Sequence, residues 1–545
     1  MRFEVKDRDL CARLGKVKIG SKSMETPAIF PVIKKRGEEL KKMGFQGVIM
    51  NAYFLLKEGF KGDVHRFFDG IVMTDSGAYQ LMLYGGLEVS NREIIDYQVK
   101  IESDIGIILD VPSYGEYEEV KKGVVETFRR AREWKELSPP GNWAGPIQGA
   151  TYPDLLRKSA KFMRSLDFDM YAVGSVVPYL INYDFLSVIK QGMTVLPLLP
   201  RNKPVHCFGA GLPMIMPFLV AIGYDTFDSA SYALYAREGR YMTRYGTRKI
   251  SELKELPCNC PICSSHDVSE MDEEAIAEHN LWVLSQTMKE IRQAIREGRL
   301  FELMCQYAMS HPKLLEAFKF MVRRGKYFWK DDPVRKRKAI FYLGFRRPEV
   351  ERAKRRAKER LGRMSPALSM VYPFNAEGTR FEFEEKELSD YELIRDISLY
   401  QFGVNIFPKN VKIEKGGTGR IRRIYFKGEL LATLRNDGFF SLKMGGARLF
   451  HEKVKGYRVV VERDVKEVIK KGGNVFAKFV RDVKGEILPR EEVLVVDEKD
   501  ELLAVGTSLL NSREMKEFDY GLAVKVRDSS SPSSASRKPG GHSKT

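Results

Sequence analysis

The stretch GIVMTDSG at residues 70–77 is a short apolar run followed by an acid, Asp75. The chain contains eight short apolar runs, counting this one. Continuous apolar runs of this length are typical of parallel strands that are buried on both faces. The runs are TPAIFPV (26–32), GVIMNAY (47–53), GIVMTDSG (70–77), IGIILDVPS (105–113), WAGPIQG (143–149), MYAVGSVV (170–177), PVHCFGAG (204–211) and YDTFDSAS (224–231). Amphipathic segments such as NREIIDYQVKIES and PDLLRKSAKFMRSL separate them and predict helices. Eight βα units predict a (β/α)8 barrel, and a doubly wound open sheet is the structural alternative.

Polar residues and glycines gather where these runs end. They are Asp75, Asp110, Gln148, Gly174, Gly209 and Asp228. In a barrel the carboxyl ends of the strands form the face that carries chemistry. A carboxylate there can attack an anomeric carbon while a second carboxylate moves the proton, as in retaining glycoside chemistry. Taken singly, each aspartate also fits a helix cap, but three at one face favour glycosyl transfer.

The composition indicates a soluble, multidomain protein of the cytoplasm. A chain of 545 residues is long enough for three or four domains, and 43% hydrophobic with 30% charged residues is globular. It has no run of eighteen apolar residues and no charged-then-apolar leader at Met1, so we expect no membrane association.

The net charge of +18 is concentrated in one segment. Residues 323–363 hold seventeen Lys or Arg against five Asp or Glu, a net of +12. Mixed charges at helical spacing suit a solvated helix, whereas the aromatic residues interleaved with them suit a nucleic-acid surface. For contact with RNA phosphates we select Arg335, Lys336, Arg337, Lys338, Arg346 and Arg347.

Three of the six cysteines, Cys258, Cys260 and Cys263, lie within six residues. Such close spacing suits a metal site in a reducing compartment better than a disulfide framework. His279, in a predicted helix, is our choice for a fourth ligand, and His266 is the alternative. Three thiolates and an imidazole with no open position predict one structural Zn²⁺ per chain.

The motifs together resemble those of the tRNA-guanine transglycosylases, and the archaeal branch in particular. They are TDSGAYQ (74–80), LDVPS (109–113), PIQG ending at Gly149, AVG ending at Gly174, FGAG from Phe208, FDSA from Phe227 and Cys-x-Cys-x-x-Cys. The C-terminal segment 456–527, which ends in GLAVKVR, is similar to a PUA domain. One departure is Ser175, at which we expect a second glycine in archaeal members.

The resemblance implies a function and a set of roles. Archaeal members replace guanine at position 15 of the tRNA D arm with 7-cyano-7-deazaguanine, in archaeosine biosynthesis. Asp228 would be the nucleophile, Asp75 the general acid/base or a substrate-positioning group, and Asp110 the carboxylate that reads the purine edge. The other base-binding residues would be Gln148, Gly149 and the backbone at Val173 and Gly174, with Tyr79 and Phe208 stacking on the base.

The predicted organisation has five parts. They are residues 1–335 for a (β/α)8 TIM-type barrel with a zinc subdomain at about 250–300, 336–387 for a basic linking α+β module, 388–454 for a second small α+β module, 455–527 for a β-rich PUA-like RNA-binding domain and 528–545 for a disordered tail. The expected partners are tRNA, 7-cyano-7-deazaguanine or guanine as the free base, and a second copy of the chain. The alternatives are an RNA-binding accessory paralogue, which would lack the carboxylates, and a metal-dependent hydrolase, for which only His206 offers a ligand on the strands.

Overall fold

A computed structural model describes residues 1–34, 37–79, 89–337, 346–376, 378 and 381–531. The chain divides into two compact units. The first consists of Met1–Phe3 with Cys11–Arg323, and the second of Glu4–Leu10 with the described part of Arg324–Thr545.

The first unit is built on an eight-stranded parallel sheet. After β1 (Arg2–Asp9), which lies mostly in the second unit, and the antiparallel pair β2 (Ala12–Ile19) and β3 (Lys22–Thr26), the sheet strands follow in chain order. They are β4 (Ala28–Pro31), β5 (Gly47–Asn51), β6 (Ile71–Asp75), β7 (Ile105–Ile107), β8 (Trp143–Ile147), β9 (Met170–Val173), β10 (Val205–Cys207) and β11 (Thr226–Ser229).

The sheet closes into a barrel. Its strand order is β4-β11-β10-β9-β8-β7-β6-β5, with parallel pairing throughout. The two outer strands meet through a parallel bridge between Val32 and Ile49, where the Ile33 N–H also donates to the Ile49 carbonyl at 2.9 Å. The barrel prediction is therefore confirmed against the open sheet, whose edge strands would not meet.

Helices connect the strands and cover the sheet. They are α1 (Glu38–Met43), α2 (Ala52–Lys57), α3 (Asn91–Lys100), α4 (Tyr117–Leu137), α5 (Pro153–Ser165), α6 (Val177–Ile181), α7 (Phe185–Val195), α8 (Met216–Ile222) and α9 (Ser231–Arg237). The two helices predicted above begin where local chemistry places them. Ser90 and Glu93 form a capping box at the start of α3, and α5 begins at Pro153, which needs no N–H partner there.

Beyond the barrel, the first unit adds a hairpin and three helices. These are β12 (Arg240–Thr243), β13 (Gly246–Lys249), α10 (Glu273–Glu297), α11 (Leu300–Ala308) and α12 (Pro312–Arg323). Asp272 caps α10 by accepting from the Ala275 N–H at 2.8 Å, and Gly298 ends the helix with φ 73°. The helix predicted around His279 is thus present.

The second unit contains two small sheets with helices. Its first part has α13 (Pro348–Leu361), α14 (Asp390–Phe402), β14 (Lys412–Lys415), β15 (Ile421–Phe426), β16 (Glu429–Leu434), β17 (Phe440–Leu442) and α15 (Met444–Lys453). Its second part has β18 (Arg458–Val461), α16 (Lys466–Lys470), β19 (Val475–Phe476), β20 (Val480–Lys484), β21 (Glu492–Val496), β22 (Leu502–Ser508), α17 (Ser512–Glu517) and β23 (Leu522–Ser529). The sheets are β14-β15-β16-β17 and β19-β23-β22-β21-β18-β20, so the predicted β-rich C-terminal module is present.

The end of the chain is only partly described. Strand β23 extends to Ser529, two residues into the segment predicted as a disordered tail, and residues 532–545 of that segment lie outside the described residues. Among the helices of the described ranges, none is long and apolar enough to cross a membrane.

Candidate active site

Three aspartates lie at the carboxyl ends of barrel strands, and we call them the rim acids. Asp75 is the last residue of β6, Asp228 is the third residue of β11, and Asp110 follows β7 by three residues. Parallel strands place these ends on one face, so the barrel brings together groups that are far apart in sequence. The three side chains are close enough that the negative charges of Asp110 and Asp228 raise the pKa of Asp75.

Asp228 is held by two donors at the same oxygen. Its Oδ1 lies 3.0 Å from His206 Nε2 and accepts from the Gly209 N–H at 2.7 Å. His206 is fully buried, and its Nδ1 lies 3.0 Å from Thr226 Oγ1. Both hydrogen bonds that the described residues make to this carboxylate end at Oδ1, which leaves Oδ2 available for attack on a substrate.

Asp75 titrates unusually high for a carboxyl group. Burial, and then the negative charges of Asp110 and Asp228, raise its pKa to about 7, against the opposing hydrogen bonds from the backbone of Gly77 and Ser76. Asn51, the last residue of the adjacent strand β5, donates from Nδ2 to Asp75 Oδ2 at 3.3 Å. A carboxyl group with this pKa can both give and take a proton at neutral pH.

Asp110 and Gln148 form a buried hydrogen-bonded pair. Gln148 follows β8 and donates from Nε2 to Asp110 Oδ2, and both side chains are almost fully buried. Burial raises the pKa of Asp110 to about 6, although the Gln148 hydrogen bond opposes this, so the group is mostly ionised at pH 7. Gly174 lies directly against this pair, because a Cβ there would lie 2.3 Å from Gln148 Nε2.

The remaining predicted base-binding residues lie at the same strand ends. Val173 ends β9, and its carbonyl accepts from the Phe208 N–H at 3.0 Å. Gly149 has φ 152° and no room for a side chain, since a Cβ would lie 2.7 Å from the Leu156 nitrogen. Phe208 is half-buried with its ring edge-on to His206 at 5.0 Å. Tyr79 is half-buried too, and stacking of both rings on a base stays a prediction.

Three residues that contact a rim acid or Gln148 were not predicted from the sequence. They are Asn51, His206 and Ser175. Asn51 ends the apolar run GVIMNAY as the aspartates end theirs, so its position was a usable signal. His206 lies inside a strand, where only its polarity marked it out. Ser175 was noted only as an unexpected residue, but its Oγ donates to Gln148 Oε1 at 2.6 Å.

The three cysteines and His279 form a group that could hold a metal ion. One ligand atom from each of Cys258, Cys260, Cys263 and His279 lies within 4.8 Å of the others. His279 Nδ1 is 3.2 Å from Cys263 Sγ, and its Nε2 lies 2.8 Å from the Met242 carbonyl, which holds the proton on the far nitrogen and frees Nδ1 for a metal. Four soft or borderline donors with no open position fit a closed tetrahedral site.

His266, the alternative fourth ligand, points elsewhere. Its Nδ1 lies 3.0 Å from the Ile262 carbonyl and 3.0 Å from Ser265 Oγ. The choice of His279 from its helical position therefore agrees with the geometry.

The basic residues selected for RNA contact do not form one surface. Arg335, Lys336 and Arg347 are buried, whereas Arg337 and Arg346 are exposed and Lys338 lies outside the described residues. Arg347 Nε lies 2.7 Å from Glu349 Oε1 in the interior. A buried cation does not reach a phosphate, and that of Arg347 is already paired with a carboxylate, which corrects the expectation for Arg335, Lys336 and Arg347.

Lys336 is the clearest case of this correction. Its Nζ lies 2.6 Å from Asp9, 2.9 Å from Asp332 and 3.3 Å from Glu349, and all four side chains are excluded from solvent. We call these four residues the Lys336 cluster. A count of basic residues could not distinguish it from a surface, because a count does not show which charges lie in the interior or that Asp9 joins them there.

Comparison with known proteins identifies the family. The family profile described as Queuine tRNA-ribosyltransferase matches residues 8–313, more than half of the chain. The chain belongs to the tRNA-guanine transglycosylase family. Two further profiles match, one described as Patch-forming domain C2 of tRNA-guanine transglycosylase at residues 392–456 and one described as PUA domain at residues 457–529.

Curated relatives match over nearly the whole chain. A tRNA-guanine(15) transglycosylase of Pyrococcus abyssi is 40% identical, covering 97% of this chain and 98% of its own length. Proteins of the same name from Thermococcus kodakarensis and Methanocaldococcus jannaschii are 40% and 36% identical, covering 96% and 97% of this chain and 98% and 99% of their own lengths. The protein is therefore an enzyme that exchanges a base in tRNA. These matches favour the transglycosylase prediction over the accessory-protein and hydrolase alternatives.

Proposed function

We propose that this enzyme replaces guanine at position 15 of tRNA with 7-cyano-7-deazaguanine, in archaeosine biosynthesis, through a covalent bond between the ribose and Asp228. The relatives from Pyrococcus abyssi and Thermococcus kodakarensis are named for guanine at position 15 of tRNA. The observation that carries the chemistry is the set of rim acids. Their environments differ, with Asp228 fixed at one oxygen by two donors and Asp75 titrating near neutrality.

The reaction divides into two displacements at the ribose. Asp228 Oδ2 attacks C1′, the bond from C1′ to guanine N9 breaks, and the protonated Asp75 carboxyl gives its proton to the departing base. The incoming base then loses its N9 proton to the Asp75 carboxylate, and its nitrogen displaces Asp228 from C1′. A pKa of about 7 lets Asp75 serve as acid in the first step and as base in the second.

Recognition of the base would divide between two polar edges. Asp110, mostly ionised at neutral pH, can accept from the N1–H and the exocyclic amine of a guanine-like base. Gln148 and the backbone at Val173, Gly174 and Gly149 would meet the other edge. Tyr79 and Phe208 would stack on the two faces of the base, which is the usual way of holding an extracted nucleobase.

We further propose that the Cys3His group holds one structural Zn²⁺. Zinc is the ion that a closed set of three thiolates and one imidazole favours. Its ligands join the segment after β13 to helix α10, so the bound ion would stabilise the fold of this region. Metal analysis of the purified protein should give one zinc per chain, and Cys260→Ser should lower zinc content and thermal stability together. Stoichiometric zinc in that variant with unchanged melting would contradict the site.

The tRNA partner would be held partly by charge and partly by shape. Of the basic residues selected from the sequence, we retain Arg337 and Arg346, which are exposed, for contact with phosphates. The PUA-like segment 456–527 has fourteen basic and fourteen acidic residues, so it would contribute mainly by shape and specific contacts. A homodimer is our proposal from the family resemblance, and light scattering of the free protein tests it.

Exchange of a labelled base tests the function directly. Incubation with radiolabelled guanine and unmodified tRNA should leave label in the tRNA, and a tRNA with adenosine at position 15 should take up none. Unlabelled 7-cyano-7-deazaguanine should then compete with guanine for incorporation. Absence of label from the tRNA at any concentration of guanine would overturn the proposal.

A further inference from the structure

We propose that Ser175 fixes the orientation of the Gln148 side-chain amide, and that this selects bases with a 6-oxo group over bases with a 6-amino group. The inference rests on the base exchange proposed above, and it assigns to Ser175 a positioning role that acts through Gln148. It follows from three loops of the barrel rim that meet at one hydroxyl group.

Ser175 connects the loops after three consecutive strands. It lies in the loop after β9, and its Oγ accepts from the Ser113 N–H in the loop after β7 at 3.3 Å. The same Oγ donates to Oε1 of Gln148, after β8, at 2.6 Å. Ser175 and Gln148 are both almost fully buried, so water does not offer an easy replacement for either contact.

The number of protons available decides which way the amide points. A serine hydroxyl carries one proton, and the backbone N–H of Ser113 can only donate, so the Ser175 proton is free for an acceptor. In the structure that acceptor is Oε1 of Gln148, at 2.6 Å. At its other end the amide meets the Asp110 carboxylate, which accepts from Nε2. The two ends therefore require the same orientation.

The backbone at Ser175 is consistent with a functional role. Its φ is 57°, in the left-handed region where glycine is the least strained residue. A side chain there costs free energy, and a glycine would remove that cost. The hydroxyl contacts to Ser113 and Gln148 are what the serine supplies in return.

The consequence for the substrate follows from the fixed amide. Nε2 carries two protons, of which one is directed to Asp110 and the other can be donated to a bound base. A 6-oxo group accepts that proton, whereas a 6-amino group would place a second donor against it. Polar groups held in this way reject a mismatched partner because both donors are left unpaired.

The test compares two bases that differ at this position. Initial rates of labelled guanine incorporation into unmodified tRNA give the KM for guanine, and 2,6-diaminopurine as a competitor gives an inhibition constant. In Ser175→Ala and Ser175→Gly we expect the KM for guanine to rise about three- to tenfold, with a smaller change in kcat. The ratio of the inhibition constant to that KM should fall by a similar factor, because an amide that is held only at Nε2, by Asp110, can turn away from the 6-amino group.

Ser113→Ala is the matched control. It removes a neighbouring hydroxyl, whose Oγ donates to the Val111 carbonyl, but keeps the backbone N–H that Ser175 uses. It should leave the preference between the two bases unchanged. If both Ser175 variants keep the wild-type preference, or lose activity with the preference intact, Ser175 is a structural residue and the inference is wrong. Failure of the wild type to incorporate guanine would instead overturn the proposed function, and this inference with it.

Discussion

The rim acids and the acids of the Lys336 cluster are each a set of three buried or half-buried carboxylates, but only the second set is paired with a lysine. In the Lys336 cluster an ammonium group lies within 3.3 Å of all three acids. Although burial alone would raise it, the charges of Arg347 and Lys336 lower the pKa of Glu349 to about 2, whereas at Asp332 burial outweighs the charge of Lys336 and the pKa is raised. Among the described residues, no lysine or arginine pairs with the side chain of a rim acid, and the pKa of Asp75 is raised to about 7 instead.

The difference separates stability from chemistry. Paired charges in an interior keep their ionisation over a wide pH range and hold elements together, but they are not available to react. Carboxylates left without a cation cost stability when ionised, and they are poised to attack a carbon or to move a proton. We therefore expect substitutions in the rim acids to affect turnover, and substitutions in the Lys336 cluster to affect folding.

The largest expected effect is that of Asp228→Asn on turnover. The amide keeps the shape of the side chain but is not nucleophilic, so the rate of exchange should fall by at least about a thousandfold. The covalent tRNA adduct, assayed by denaturing gel, should disappear while tRNA affinity and melting temperature stay near those of the wild type. An adduct at normal yield in this variant would remove Asp228 from the role of nucleophile.

Lys336→Met should have the opposite profile. Removal of the ammonium leaves three carboxylates in the interior without their shared cation, at a cost of about 3–5 kcal/mol. The second unit should then melt about 10 °C lower at pH 7, as followed by calorimetry. Arg337→Gln is the control, because Arg337 is 67% exposed and its neighbour Asp7 is 3.8 Å away. Equal melting of the two variants would contradict a stabilising role for the cluster.

These two regions also show which structural features the sequence could predict and which it could not. The eight runs and the acids at their ends predicted the barrel and the rim acids, because strand order alone brings those positions to one face. The burial of Lys336 could not be predicted, since two of its three partners, Asp9 and Glu349, are brought to it only by the tertiary fold. The support given by His206 and Ser175 was missed for the same reason, as each contact joins loops or strands that are distant in the chain.

Asp75→Asn should change how the stability of the fold depends on pH, because Asp75 is a buried carboxyl group that no lysine or arginine pairs with among the described residues. Because the folded pKa of about 7 exceeds that of an unfolded aspartate, the fold disfavours the ionised form. Wild-type stability should therefore fall as the pH rises from about 4 to about 7 and stay low above it. The variant, which cannot ionise, should be more stable than the wild type by about 2–4 kcal/mol at pH 8 and nearly equal to it at pH 4. The exposed Asp96→Asn serves as control, and the same difference at both pH values would exclude Asp75 titration as its cause.

The smallest expected effect concerns the basic residues, and it tests whether exposure rather than charge count decides contact with tRNA. Each phosphate contact contributes about −0.9 for duplex or −0.7 for single strands to the slope of log affinity against log salt. Replacement of both Arg337 and Arg346 by glutamine should therefore weaken binding and flatten that slope by about 1.5. The single-turnover rate at saturating tRNA should be nearly unchanged, since the rim acids are untouched.

Lys336→Met, measured well below its melting temperature, removes a charge that is buried and already paired, so its slope should match that of the wild type. A slope flattened by Lys336→Met and not by the arginine pair would mean that the buried segment opens to meet RNA, and that the two carboxylate sets are less distinct than their charges indicate.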